Sequence, residues 1–191
     1  MKQTPSRYTK TAIILHWLIA IFIALMFVLG WYMAELPKEA PKQMAYDLFD
    51  LGVYTWQAAE EISPRTFYFN LHKSLGLTVL ALIVLRILWR ITHTPPAALS
   101  SYKAIEKKVA TATHHSLYLL MLAVPVTGLT MAMNSKYGVK WFGIDVIAGL
   151  DNKPMRDFFE CTHEFVGIVL LVLIGIHLLG ALKHKFIDKD D

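Results

Sequence analysis

The chain has 191 residues, of which 55% are hydrophobic and only 18% are charged, and its formal net charge is +4. This composition, with a mean hydropathy of +0.42, excludes an ordinary soluble domain, and the length leaves room for one domain only. The positive charge does not require a nucleic-acid partner, because lysines and arginines that anchor helices at a lipid surface account for it.

Four segments are long and apolar enough to cross a bilayer as helices, for which roughly 20 mostly apolar residues suffice. In chain order, their approximate bounds are 11–34, 67–91, 110–133 and 158–182. The strand alternation of a membrane β-barrel is missing, so the backbone must form its hydrogen bonds within helices. The predicted fold class is all-α: one transmembrane domain over residues 1–191, built as a four-helix bundle.

The connection between the first two helices, residues 35–66, is unusually long for a helical hairpin. Its portion MAYDLFDLGVYTWQAA has apolar residues at helical spacing, which predicts a surface helix at the membrane interface. This loop is also acidic, and its acidic residues are Glu35, Glu39, Asp47, Asp50, Glu60 and Glu61.

Basic residues cluster at the opposite ends of the helices, and lysine and arginine in short loops stay in the cytoplasm. They are Lys2, Arg7, Lys10, Arg90, Lys103, Lys107, Lys108, Lys183 and Lys185. We therefore expect a multi-pass protein of the bacterial inner membrane, with both termini cytoplasmic and the 35–66 loop periplasmic.

The fourth segment carries two histidines, His163 and His177, that are 14 residues apart. A helix rises about 1.5 Å and turns about 100° per residue, so they share one face about 21 Å apart in depth. His16 enters the first helix near its cytoplasmic start, at the level of His177. His72 lies about a turn inside the outer end of the second helix, at the level of His163. Depth therefore predicts two pairs, one in each leaflet.

Paired imidazoles on facing helices of a bundle are the arrangement that holds a b-type haem by two axial nitrogens. Two stacked pairs predict two haems and a path for electrons across the membrane. Gly76 and Gly167 lie one turn deeper than His72 and His163 and would let a flat ligand approach the backbone. The single Cys161 lies outside any C-x-x-C-H pattern, so the haem would be bound non-covalently.

Two other interpretations of these histidines remain open. Each histidine alone is as typical of a hydrogen bond between helices as of a ligand. A zinc site is a weaker alternative, because two imidazoles leave the coordination incomplete. A non-redox metal transporter that uses the histidines as transient ligands would purify as a colourless protein.

Further polar residues lie at the predicted cytoplasmic level. Arg86 is 14 residues after His72 on the same face, where it could bind haem propionates or extend to the headgroups beside Arg90. His114 and His184 could be interfacial residues or part of a quinone pocket, since a reducible carbonyl needs a proton donor with a pKa near neutrality.

Three lysines lie at the outer end: Lys73, Lys136 and Lys140. The default interpretation is that these are solvated charges. If the outer substrate is a small anion, a positive opening would raise its rate of encounter.

Several motifs occur together along the chain. They are Leu15-His16-Trp17, then NLHKSLG around His72 with Leu85-Arg86 after it, then HHSLYLLMLAVPVTGL from His114, and finally His163 and His177 followed by Lys183-His184. From Tyr8 to Phe186 this combination resembles the bacterial cytochrome b561 family of small four-helix, di-haem, quinone-linked cytochromes. The long acidic outer loop departs from the compact family pattern.

The resemblance implies that His16, His72, His163 and His177 are the axial ligands of the haem irons, in agreement with the pairing by depth. One branch of the family implies an oxidoreductase that takes electrons from superoxide at the periplasmic face and reduces ubiquinone. The alternative is a haem subunit that links a periplasmic redox protein to the quinone pool. Membrane lipid is the surrounding partner in either case.

Overall fold

The structure, a computed structural model, describes residues 7–96 and 104–189. Four long helices make up most of it: α1 (Lys10–Glu35), α2 (Pro64–Thr92), α3 (Ala104–Met133) and α4 (Lys153–Lys183). All four are long and apolar enough to cross a membrane. Each contains one of the predicted segments, and the predicted all-α membrane bundle is confirmed.

Helices α2 and α4 begin earlier than their apolar segments because polar caps define their first turns. The Ser63 hydroxyl accepts a hydrogen bond from the Thr66 amide at 3.2 Å, and the Asn152 side chain accepts one from the Met155 amide at 3.3 Å. A proline follows each cap at the first or second helical position, where its missing amide hydrogen costs nothing.

The helices run up and down, with α1 packed along α2, α2 along α3, and α3 along α4. A buried cluster of Ile19, Ile23, Val79 and Ile83 joins α1 to α2. Many other large apolar side chains point outwards and are exposed, as expected for surfaces that face lipid. We call the end where α1 begins and α4 finishes the terminal end, and the other the hairpin end.

Two small β-hairpins cover the hairpin end. Strand β1 (Gln43–Asp47) pairs antiparallel with β2 (Thr55–Ile62), and β3 (Val139–Trp141) pairs antiparallel with β4 (Ile144–Ile147). The prediction of a surface helix within residues 35–66 is therefore wrong.

A tertiary contact explains why the β1–β2 segment is not helical. Tyr46 is only 2% exposed, and its ring stacks on Phe67 of α2 with centroids 4.3 Å apart. Its hydroxyl contacts the Ile62 carbonyl on the partner strand and the Gln43 carbonyl of its own strand as a donor. The extended backbone buries this ring and satisfies its hydroxyl, which outweighs the local apolar spacing.

Arg65 fastens the end of α1 to the start of α2. Its Nη1 donates to the carbonyl groups of Met33, Ala34 and Leu36 at 3.2, 3.0 and 2.8 Å. These groups lie at the end of α1, where carbonyls lack partners within the helix and carry partial negative charge. The contact closes the α1–α2 pair at the hairpin end.

The β3–β4 hairpin docks against α2 directly after His72. The Phe142 amide donates to the Ser74 hydroxyl at 2.9 Å, and the Trp141 indole donates to the Thr78 hydroxyl at 3.2 Å. Lys73 reaches the Gly138 carbonyl at 3.3 Å. This hairpin therefore packs against α2 beside His72 at the hairpin end of the bundle.

Candidate functional site

The interior of the bundle contains two layers of side chains, and every helix contributes one residue to each. On each helix the two residues are 14 positions apart, which is about 21 Å with an angular offset of about 40°. We define the terminal layer as His16, Arg86, His114 and His177, and the hairpin layer as Gly30, His72, Gly128 and His163.

In the hairpin layer, the rings of His72 and His163 face each other with centroids 6.3 Å apart and planes at 85°. A Cβ added to Gly30 would lie 3.6 Å from His72, and one added to Gly128 would lie 2.9 Å from His163. At these two positions, α1 and α3 present backbone to the histidine rings. The Nδ1 of His72 is buried and has no hydrogen-bond partner within the described ranges.

In the terminal layer, the rings of His16 and His177 have centroids 6.4 Å apart and planes at 75°. Arg86 points into this layer, with its Nη2 at 3.3 Å from His16 Nδ1. Its Nη1 donates to the Ala12 carbonyl at 3.1 Å, and its guanidinium lies over the Tyr118 ring at 5.7 Å from the centroid. These contacts hold the guanidinium between α1 and α3.

The spacing of both histidine pairs fits a shared metal ion. An imidazole nitrogen binds a transition metal at about 2 Å, so two rings on opposite sides of one ion have centroids about 6 Å apart. The observed 6.3 and 6.4 Å agree with this value. The missing Cβ atoms of Gly30 and Gly128 leave room for the His72 and His163 rings. The spacing of the paired imidazoles therefore fits a b-type haem.

A metal site made by the protein alone is not formed. In the part of the chain that the structure describes, no group of three or more histidine, cysteine or carboxylate side chains is placed to hold a metal ion. The histidine pairs instead suit a cofactor that brings its own equatorial ligands.

The two residues predicted for a quinone pocket have different neighbours in the structure. The His114 ring joins the terminal layer, with its centroid 5.5 Å from that of His177. His184 follows α4 in a short π-helical turn beside Asp188, with its Nδ1 at 2.9 Å from the carboxylate. It lies seven residues after His177, which is about 10 Å further along the helix axis.

The three outer lysines have different surroundings. Lys73 contacts the Gly138 carbonyl, while Lys140 lies 3.5 Å from the Asp145 carboxylate. Lys136 lies over the Tyr137 ring at 5.0 Å from its centroid. Lys140 is therefore partly neutralised, and Lys73 is the lysine closest in sequence to a layer histidine.

The sequence analysis missed Gly30, Gly128 and the α3 backbone beside His163. The signal was present, because Gly30 and Gly128 follow His16 and His114 by the same 14 residues that separate His163 from His177. Only the structure adds that His163 Nδ1 lies 2.9 Å from the Val124 carbonyl.

The chain matches the family model described as prokaryotic cytochrome b561 over residues 7–191. It is 36% identical to "Cytochrome b561 homolog 2" of Escherichia coli (strain K12), over 99% of this chain and 90% of that protein. It is 27% identical to "Cytochrome b562" of Cereibacter sphaeroides, over 100% of this chain and 94% of that protein. It is 23% identical to "Probable superoxide oxidase CybB" of Yersinia pestis, over 97% and 92%.

The match covers all four helices and both layers, and the relatives agree with the sequence motifs in pointing to one family. The chain belongs to the prokaryotic cytochrome b561 family, and it is accordingly a bacterial multi-pass membrane protein that binds b-type haem and transfers electrons.

Proposed function

We propose that this chain is a di-haem cytochrome of the bacterial inner membrane that oxidises superoxide at its hairpin end and reduces ubiquinone at its terminal end. The observation that carries the proposal is the presence of two imidazole pairs with centroids 6.3 and 6.4 Å apart. They lie in layers about 21 Å apart along α4, so each is close to one side of the membrane.

The proposed roles of the four histidines follow from the layers. His72 and His163 would supply the axial nitrogens of the outer haem, and His16 and His177 those of the inner one. When bound, the haems supply one-electron carriers, and the protein's part is to hold and tune them. Arg86 would neutralise a propionate of the inner haem, a role supported by the contact of its guanidinium with His16.

The orientation is proposed from charge. The described basic residues at the terminal end, including Lys10, Arg90 and Lys183, support a cytoplasmic location for that end and a periplasmic one for the hairpin end. A fluorescent protein fused to the carboxyl terminus should then fold and fluoresce, whereas an export-dependent reporter at the same point should stay inactive.

Superoxide as the donor is supported by two features. A relative at 23% identity is named a probable superoxide oxidase, and Lys73 follows a layer histidine at the outer end, where a positive charge favours the arrival of a small anion. In the balanced reaction, two superoxide anions each lose one electron and leave as O₂. One ubiquinone gains the two electrons and two protons and leaves as ubiquinol.

Ubiquinone as the acceptor is supported by His114, whose ring centroid lies 5.5 Å from that of His177. A histidine at this position can pass a proton to a quinone oxygen near the inner haem, because an imidazole can both accept and donate a proton. The protons would then be drawn from the cytoplasmic side.

The test begins with the purified protein in detergent. A reduced-minus-oxidised visible spectrum with haem quantitation should give about two haems per chain. Enzymatically generated superoxide should then reduce ubiquinone-1 with two superoxide consumed per ubiquinol formed. A colourless protein would contradict the whole proposal, and haems that superoxide does not reduce would contradict the donor alone.

A second candidate is a haem subunit that accepts electrons from a periplasmic redox protein. It is favoured by the tip of the β1–β2 hairpin, where Leu51, Val53 and Tyr54 are 66, 83 and 61% exposed. Asp47 and Asp50 precede this apolar tip directly in the chain, and their negative charge would repel superoxide and suit a partner with a basic face.

The two candidates differ in what the hairpin tip does. If a partner docks there, a Leu51→Ser/Val53→Ser double variant should keep both haems but lose capture of a periplasmic redox protein by crosslinking. If superoxide is the donor, the same variant should turn over superoxide at the rate of the unaltered protein.

A further inference from the structure

His163 occupies a notch in α3, a helix that supplies no axial nitrogen in the proposed arrangement. A Cβ on Gly128 would lie 2.9 Å from His163 Cε1 and 3.0 Å from its Nδ1, distances that real Cβ atoms do not tolerate. Glycine is therefore required here for the ring to lie against the backbone. The notch consists of Val124, Thr127 and Gly128.

The innermost group of the notch is a backbone carbonyl, which can accept a hydrogen bond. His163 Nδ1 lies 2.9 Å from the Val124 carbonyl oxygen and 3.3 Å from the Thr127 hydroxyl. A carbonyl oxygen has two lone pairs, so it can accept from His163 while it takes part in the helix. Because it can only accept, Nδ1 must carry the hydrogen, and Nε2 is left with the free lone pair.

Pro125 follows the Val124 carbonyl directly and lies inside α3. Proline has no amide hydrogen, so the helix loses the bond to the carbonyl four residues earlier and is locally free to tilt its carbonyls. The carbonyl that loses its helical partner is that of Met121, and the Val124 oxygen lies on the same weakened stretch, beside the space that Gly128 leaves.

The partner imidazole has no equivalent support. The buried Nδ1 of His72 has no hydrogen-bond partner among residues 7–96 and 104–189. The two histidines of the hairpin layer are therefore unequal: the orientation and tautomer of His163 are fixed by α3, and those of His72 are not.

We propose that the α3 notch is a positioning element that holds His163 with Nε2 directed to iron and lowers the reduction potential of the outer haem. A ligating imidazole that donates its other N–H to a carbonyl becomes more basic, and a more basic ligand stabilises the ferric state over the ferrous one. This inference rests on the proposed ligand role of His163.

The test is a redox titration of the purified holoprotein, followed by visible spectra, for Gly128→Ala and Pro125→Ala. The control is Gly175→Ala, since a Cβ on Gly175 of α4 meets no described atom within 4 Å. The His163→Ala protein identifies which titration step belongs to the outer haem. Pro125→Ala restores an amide to α3 and should fold even if Gly128→Ala does not.

In Gly128→Ala we expect loss of the outer haem alone or an upward shift of its midpoint potential, and in Pro125→Ala an upward shift. The midpoint potential of the inner haem should not change in these variants, and neither midpoint potential should change in Gly175→Ala. If the midpoint potential of the outer haem in both α3 variants equals that in the control, the inference is overturned while the di-haem proposal stays intact. An unaltered protein without haem would instead overturn the proposed function itself.

Discussion

Replacing the layer histidines one at a time should produce two phenotypes from four variants. The pairs lie in layers about 21 Å apart, too far for one histidine to support both haems. Alanine at His72 or His163 should therefore remove the outer haem, and alanine at His16 or His177 the inner one. In each case the haem content should fall from about two to about one per chain.

The measurement is haem quantitation with a reduced-minus-oxidised spectrum, in which each variant should lose about half of the absorbance. The two variants of a layer should leave the same residual spectrum, and the two layers should leave different ones. The matched control is His115→Ala, because His115 Nδ1 bonds to the Thr111 carbonyl of its own helix at 2.8 Å. A His72 variant whose residual spectrum matched that of a His177 variant would refute the pairing.

Three further predictions concern the hairpin end. Arg65→Met removes the donor to three carbonyls at the end of α1 and should lower stability by about 1–3 kcal/mol, seen as a lower Tm in detergent; an unchanged Tm would mean that water replaces the contact. Lys73→Gln should slow superoxide oxidation a few-fold and flatten its dependence on salt, whereas Lys136→Gln should not; equal effects would point to net charge alone. Burial raises the pKa of the Tyr46 hydroxyl, so above about pH 10 the unfolded hairpin loses this proton before the folded one and the stability of the hairpin should fall. Trp56 fluorescence should report this loss of structure. Tyr46→Phe should abolish the pH dependence of the fluorescence.

The helices and the histidine pairs could be predicted because their signals are local. Apolar runs of membrane length need no knowledge of neighbours, and the spacing of His163 and His177 fixes their relative depth by helix geometry alone. The positions of His16 and His72 along their own helices then sufficed to match the levels. The spatial pairing in the structure follows this reasoning, while the ligand roles stay a prediction.

The remaining features depend on contacts between distant parts of the chain. The β1–β2 hairpin forms because Tyr46 buries against Phe67, a contact that apolar spacing within the loop does not encode. Arg65 reaches α1 across about 30 residues of sequence, and nothing near it predicts this. Arg86 was placed on the correct face, but its contacts with His16 and the Ala12 carbonyl appear only once α1 and α2 are packed together.

The equal spacing of the two layers on all four helices has a consequence for sequence length. Inserting or deleting a single residue between the layers turns everything beyond it by about 100° about the helix axis. The residue that this helix contributes to the second layer would then leave the interior of the bundle and face lipid. Natural length variation should therefore be confined to the connections and the hairpins, and the middle stretch of every helix should admit substitutions but no change in residue number.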